Sequence, residues 1–326
     1  MSVFATGFRH PIGLGMSPTG LLSGADQEGN WMPATRIDLY QKGGFYGDMR
    51  THHRAQAPQM YDPPLVWLPR EIDNSAGGQV WAPEGKFGPL SGRMLHLSYG
   101  RCKMFLVLPQ TQGDVRQAGA VDLGLFFLAG VKSGRFRLQD DHLYVVGLKG
   151  WQTAARRDGC LQRVRWTGKQ FNLPVALSVH ADGVRLTFNR PLDPNTAALV
   201  DRYRVEQWNY LWSEEYGSKR YSVAKPGTVG QDQVKILGVT AEADGRSVLV
   251  KLEKVQPVMQ MQISYRLTTA DGQALLGSVY NTIHKVEENG GVDSTAHRSY
   301  ATHRSGLLLS FPLHHHSGRA RVMLRW

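Results

Sequence analysis

Four groups of side chains in this 326-residue chain are of types that do chemistry. Glu214 and Glu215 are an adjacent carboxylate pair. A glycosidase needs two carboxyls facing one sugar across a gap, and neighbours on a strand point to opposite sides, so this pair alone does not make such a site. His314, His315 and His316 are metal-ligand types. They lack the i, i+4 spacing of a helical zinc site and have no carboxylate nearby, so the run reads as non-ligating. Cys102 and Cys160 are too few for a metal cluster and carry no haem-attachment spacing. They either pair in an exported protein or stay as two half-buried thiols. Finally, "QWNYLWSEEYGSKRY" gathers Trp208, Tyr210, Trp212, Tyr216 and Tyr221. Such rings stack on sugars or fill a core, and the core reading is the stronger.

The elements that would position these groups are strands. Residues 1–170 carry short apolar runs between turn residues: "IGLGMS", "RIDLY", "LVWL", "MLHLSY", "MFLVL", "HLYVVGL" and "LQRVRW". Runs this short, rich in aromatic and β-branched residues, predict strands. Their spacing fits about three blades of a β-propeller, open rather than closed. Trp151 and Trp166, near the end of this part, are expected to be core or blade-packing aromatics, with sugar stacking the weaker alternative.

From 173 to 286 the pattern changes to two-residue alternation, as in Val184, Leu186, Phe188 and in Val248, Val250, Leu252. "ADG" marks a turn at 181–183, 243–245 and 270–272. These features predict an immunoglobulin-like β-sandwich. Asp193 before Pro194 predicts a capped helical turn. The fold class is thus all-β, a partial propeller followed by a sandwich. Residues 287–326 have no acidic residue after Asp293 and no lasting period. They are expected to be a poorly packed basic tail.

The formal net charge is +11. No basic helix, zinc-finger spacing or RNA-binding aromatic signature accompanies it, so nucleic acid is not an expected partner. "GLFFLAG" at 124–130 is too short to span a membrane. "MSVFATGFRH" lacks the apolar core of a signal peptide.

One long stretch carries a specific pattern. "GFRHPIGLGMSPTGLLSGADQEGNWMPATRIDLYQKGGFYG" keeps Arg9, Pro11, Gly13, Leu14, Glu28, Ile37, Asp38, Lys42, Gly43, Gly44, Tyr46 and Gly47 in order. This resembles the glucose/sorbosone dehydrogenase-like β-propellers. "GRFRLQDDHLYVVGLKGW" resembles a later strand pair of the same family, and with the sandwich the whole is similar to large exported proteins of planctomycetes and verrucomicrobia. The resemblance implies pyrroloquinoline quinone and calcium as cofactors. It also implies Arg9 beside the quinone, with Arg135 and Arg137 clamping its carboxylates. Arginine suits a carboxylate because its planar fork binds in two places and keeps its charge. Alternation puts Arg135 and Arg137 on one strand face; the same arrangement serves arginines that merely face a wet channel.

The departures bear on function. His10 stands where the family has Asn, Asn30 and Trp31 replace a Gly-Pro that helps hold calcium, and Gly100 stands near the place of a quinone-binding lysine. The family's base histidine comes from an earlier blade, and a base must reach the hydroxyl it deprotonates. His52 and His53 follow the K-G-G loop with nothing in the sequence to orient them. The expectation is the C-terminal portion of a quinoprotein-type sugar or polyol dehydrogenase-like protein. The resemblance implies an exported protein, non-catalytic alone and unable to hold its cofactors alone, which is either completed by blades from another chain or a fragmentary product that folds poorly. The alternative is a polysaccharide-binding or adhesion module.

Overall fold

Three successive antiparallel sets of strands fill the first half of the computed structural model, which describes residues 1–286. The expected basic tail, 287–326, lies outside the described residues. The first sheet runs β1 (Pro11–Met16), β2 (Leu22–Asp26), β3 (Thr35–Tyr40) and β4 (Val66–Leu68) in chain order. The second set is β5 (Ala76–Trp81), β6 (Met94–Ser98), β7 (Lys103–Gln112) and β8 (Val115–Phe126). The third is β9 (Gly130–Arg137), β10 (His142–Leu148) and β11 (Gly159–Val164). All seven apolar runs of this half lie on strands, because each is long enough to pair and is stopped by Gly, Pro, Asn or Asp.

The first strands of the three sets lie side by side: β1 packs on β5, and β5 on β9. Glycine makes this approach possible. A Cβ on Gly13 would fall 2.0 Å from the Gly78 Cα, and one on Gly77 would fall 2.2 Å from the Val131 carbonyl oxygen. No side chain fits in those gaps. Gly13 faces Gly78 while Gly15 faces Gln79, so β1 and β5 run in the same direction; Gly77 by Val131 and Gly78 by Lys132 give β9 that direction too.

The second half supplies β12 (Pro174–His180), β13 (Gly183–Phe188), the single turn α1 (Pro194–Ala197), β14 (Tyr203–Trp208), β15 (Asp232–Val234), β16 (Ile236–Ala241), β17 (Ser247–Leu252), β18 (Val258–Thr268) and β19 (Ala274–Ile283). Each "ADG" forms a hairpin turn, and Asp193 caps α1 by accepting the Asn195 amide at 3.0 Å. One sheet has the order β12-β13-β17-β16. Its inward residues are those the alternation marked: Val184, Leu186, Phe188, Val248, Val250 and Leu252 are at most 3 % exposed.

The remaining strands do not close a sheet of their own. They continue the second set into eight strands, ordered β15-β14-β18-β19-β8-β7-β6-β5. The join is β19 on β8, with Val279 opposite Val121, Tyr280 opposite Ala120 and Asn281 opposite Gly119. Backbone pairing therefore crosses the boundary expected at 170–173, and one hydrophobic core runs from Leu95 and Leu106 through Val179 and Ile263. All described residues belong to one compact unit.

A buried ion pair fixes the loop after β3. Arg36 Nε donates to both Asp38 carboxylate oxygens at 2.9 Å, and the guanidinium also donates to the Tyr46 and Asp62 carbonyls. Tyr61 and Trp67 lie 5.2 and 5.1 Å from the cation. Asp38 and Tyr46 of the family-like pattern are thus structural here. Burial raises the Asp38 carboxyl against the pull of Arg36, so the pair is worth most as a lock on loop geometry.

Candidate functional site

The loops that precede β1, β5 and β9 meet at one end of those strands, together with the 26–31 and 149–154 loops, and form a polar mouth. Asp26, fully buried at the end of β2, accepts the amides of Arg9 and His10 at 2.7 and 2.8 Å. This pins the segment entering β1. The Arg9 guanidinium then lies 5.1 Å from the Tyr216 ring. A Cβ on Gly29 would fall 1.9 Å from Arg9 Nε, so glycine makes room for the guanidinium.

Tyr216 comes from the loop between β14 and β15, which straps onto the first sheet. Gly217 and Ser218 donate to the carbonyls of Gly29 and Pro33, and Trp212 Nε1 donates to the Gly47 carbonyl at 2.9 Å. Of the aromatic cluster, Trp208 and Tyr210 are core residues, while Tyr216 is 56 % exposed.

Glu28 is buried beside Arg70, whose Nη1 donates to Oε1 at 3.2 Å. Burial pushes the Glu28 carboxyl up, and Arg70 and Arg9 pull it back. Arg70 Nη2 reaches Gln152 Oε1 at 3.3 Å, Asn74 Nδ2 reaches the Gln152 carbonyl at 3.3 Å, and Arg101 Nη2 donates to the Arg70 carbonyl at 2.9 Å. Three buried polar atoms here have no partner: Arg9 Nη1, Asn74 Oδ1 and Arg101 Nε. Fourteen other buried side-chain polar atoms among the described residues are also unpartnered, so these three show that the loop cluster is polar and do not by themselves mark a ligand site. Trp31, Cys102 and Gln152, on loops around the mouth, have φ of 59°, 55° and 53°. Left-handed backbone at bulky residues is held only where the surroundings demand it.

The sequence-expected trio is divided. Arg9 is at the mouth. Lys132 is level with Gly13, and Arg135 and Arg137 are three and five residues further along β9, so their backbones stand roughly 20 and 30 Å from that of Arg9 along the strand direction. Both are exposed, on one face as expected; Arg137 pairs with Asp140 at 3.0 Å, and Arg135 reaches the Gly134 carbonyl at 2.7 Å. The three do not form one clamp. Glu28, the acidic residue of the family-like pattern, is paired here with the Arg70 guanidinium.

Other expectations resolve plainly. Trp166 packs on Phe171 at 5.5 Å, but Trp151 is not a packing residue: it is 85 % exposed, lifted out by the turn at Gln152. Cys102 is buried and Cys160 half-buried, both as free thiols. His52 Nδ1 accepts the Arg54 amide within its own loop, and Glu214 and Glu215 are exposed. Arg70, Asn74 and Gln152 carry no site signal in the sequence, and Tyr216 stood there only within the aromatic cluster whose stronger reading was the core. Each is on a loop, where periodicity gives no signal. His10, beside Arg9, has its imidazole held below the ordinary range by burial and by the charges of Lys132 and Arg9, so it is neutral near pH 7. Among the described residues no helix is long and apolar enough to cross a membrane.

No family model matches the chain, and no curated protein does. Among solved structures, the chain is similar to the crystal structure of an oxidoreductase assigned as a glucose dehydrogenase from Thermus thermophilus. Identity is 21 % and the TM-score 0.37, and the match covers 50 % of this chain and 47 % of that one. The chain thus spans about half the length of that relative.

Proposed function

We propose that residues 1–170 are part of a sugar dehydrogenase-like propeller, that 173–286 derive from an immunoglobulin-like sandwich, and that the mouth binds a polyhydroxylated ligand without oxidising it. One observation carries the reading. Glu28, Arg70, Asn74 and Gln152, from three different loops, converge with donors and acceptors interleaved. A sugar or polyol offers hydroxyls that both donate and accept, which is what such a set satisfies. Tyr216 adds a ring face at the rim.

The division of Arg9 from Arg135 and Arg137 speaks against a bound quinone. If one binds, Arg9 would hold it at the mouth. A dehydrogenase reading has one observation in its favour: His10, neutral near pH 7, is a proton acceptor at the mouth. Calorimetry with glucose and with sorbitol, beside a dye-linked oxidation assay with added quinone and calcium, separates the two. Binding that is lost in Arg70→Ala, with no turnover, is expected. Turnover that rises with quinone and is lost in His10→Gln would establish the enzyme instead.

A further inference from the structure

A groove of about 940 Å³ lies on the eight-stranded sheet, bounded on one side by Ile72 from the loop before β5. Its floor is built from four adjacent strands, β8, β19, β18 and β14. Register sets their outward residues in rows. Arg204 is opposite Ser264 and Ser264 opposite Ser278; the β19–β8 register continued by one residue brings Asp122 beside Ser278. The next row has Tyr280 opposite Gln262, Gln262 opposite Glu206, and Glu206 opposite Gln233. The intervening Val205, Ile263 and Val279 point into the core, which is why alternation leaves the outer face polar.

We infer that this groove binds a neutral oligosaccharide laid across the strands along these two rows. The rows mix donors and acceptors in hydrogen-bond reach of one another. Ser264 and Ser278 hydroxyls are 2.9 Å apart, and Gln262 Nε2 reaches both, at 3.2 and 3.4 Å. Arg204 donates to Glu206 at 2.8 Å, and Lys103 to Asp122 at 2.5 Å. The charges lining the groove balance, Asp122, Asp201 and Glu206 against Arg202, Arg204 and Arg266, which disfavours a polyanion and suits a ligand that presents hydroxyls. The half-buried Tyr280 gives one aromatic face for a sugar ring. At ~4.8 Å per strand the floor spans about 14 Å, the reach of a short oligosaccharide rather than a monosaccharide. The volume is within the range of small-ligand sites.

The groove shares its ligand class with the mouth and takes only that class from the reading above; its rows are a separate site. The test uses the full chain and calorimetry with short cello-, xylo-, manno- and malto-oligosaccharides and with glucose. One oligosaccharide series is expected to bind. In the Arg70→Ala background, which removes binding at the mouth, Gln262→Ala should weaken it at least fivefold and Tyr280→Ala at least tenfold. Gln262→Ala is the variant least able to disturb folding, and unchanged melting temperature checks this. Failure of all four series to bind would overturn the groove. So would binding indifferent to Gln262→Ala and Tyr280→Ala, or binding lost only in Arg70→Ala. Glucose binding lost in Arg70→Ala but retained in Gln262→Ala reports on the mouth alone, so the two sites fail separately.

Discussion

The ring of Tyr216 lies 5.1 Å from the guanidinium of Arg9, across more than two hundred residues of sequence. The loop between β14 and β15 thereby completes a mouth whose other members come from the first half of the chain. A cation over an exposed ring is worth roughly 0.5–1 kcal/mol. Tyr216→Ala is expected to lower stability by no more than about 1 kcal/mol in urea denaturation. It should weaken glucose or sorbitol binding several-fold in calorimetry, because Arg9 loses its stop. An unchanged affinity would remove Tyr216 from the site.

Asp26 should make stability depend on pH. Burial raises its carboxyl from 3.8 to about 7. Between those values the folded chain keeps a proton that the unfolded chain has lost, so this group's contribution falls as pH rises from about 4 to about 7 and is level above that. The full effect is worth about 4 kcal/mol at most. Urea midpoints measured from pH 4 to 8 should decline less steeply in Asp26→Asn than in the parent. Parallel curves would show that Asp26 is not the group responsible.

Arg36→Met should cost roughly 3–5 kcal/mol, because it leaves the Asp38 carboxylate buried without its partner. Arg36→Lys should recover little, since an ammonium cannot reproduce three contacts to Asp38 and two to the Tyr46 and Asp62 carbonyls. Denaturant unfolding reads both. A loss below about 1 kcal/mol in either variant would mean that water reaches the pair.

The β8–β19 join predicts that the two halves unfold together. Far-ultraviolet dichroism and tryptophan fluorescence should trace one thermal transition in the parent. Val279→Ala, at a fully buried position on the join, should shift that transition as a whole, by roughly 2 kcal/mol. Two separated transitions, with only the later strands affected, would contradict the shared sheet.

The sequence by itself determined where most strands run and which side of them is buried. Val184, Leu186 and Phe188 on β13, or Val248, Val250 and Leu252 on β17, face inward because alternation and burial are one fact in a strand with one wet side. The three "ADG" turns and the Asp193 cap are local chemistry and were legible for the same reason. The glycine-rich β5 was not. Gly77 and Gly78 weaken strand propensity, and their purpose is the close approach of β1 and β9, which only the packed structure contains. Nor could periodicity reveal that β19 pairs with β8, since a strand's alternation names its buried side but not its neighbour. The same limit divided the arginines. Alternation put Arg135 and Arg137 on one face, yet their distance from Arg9 depends on how β1, β5 and β9 align. The mouth took its remaining members, Arg70, Asn74, Gln152 and Tyr216, from loops, and loops are brought together by tertiary packing alone.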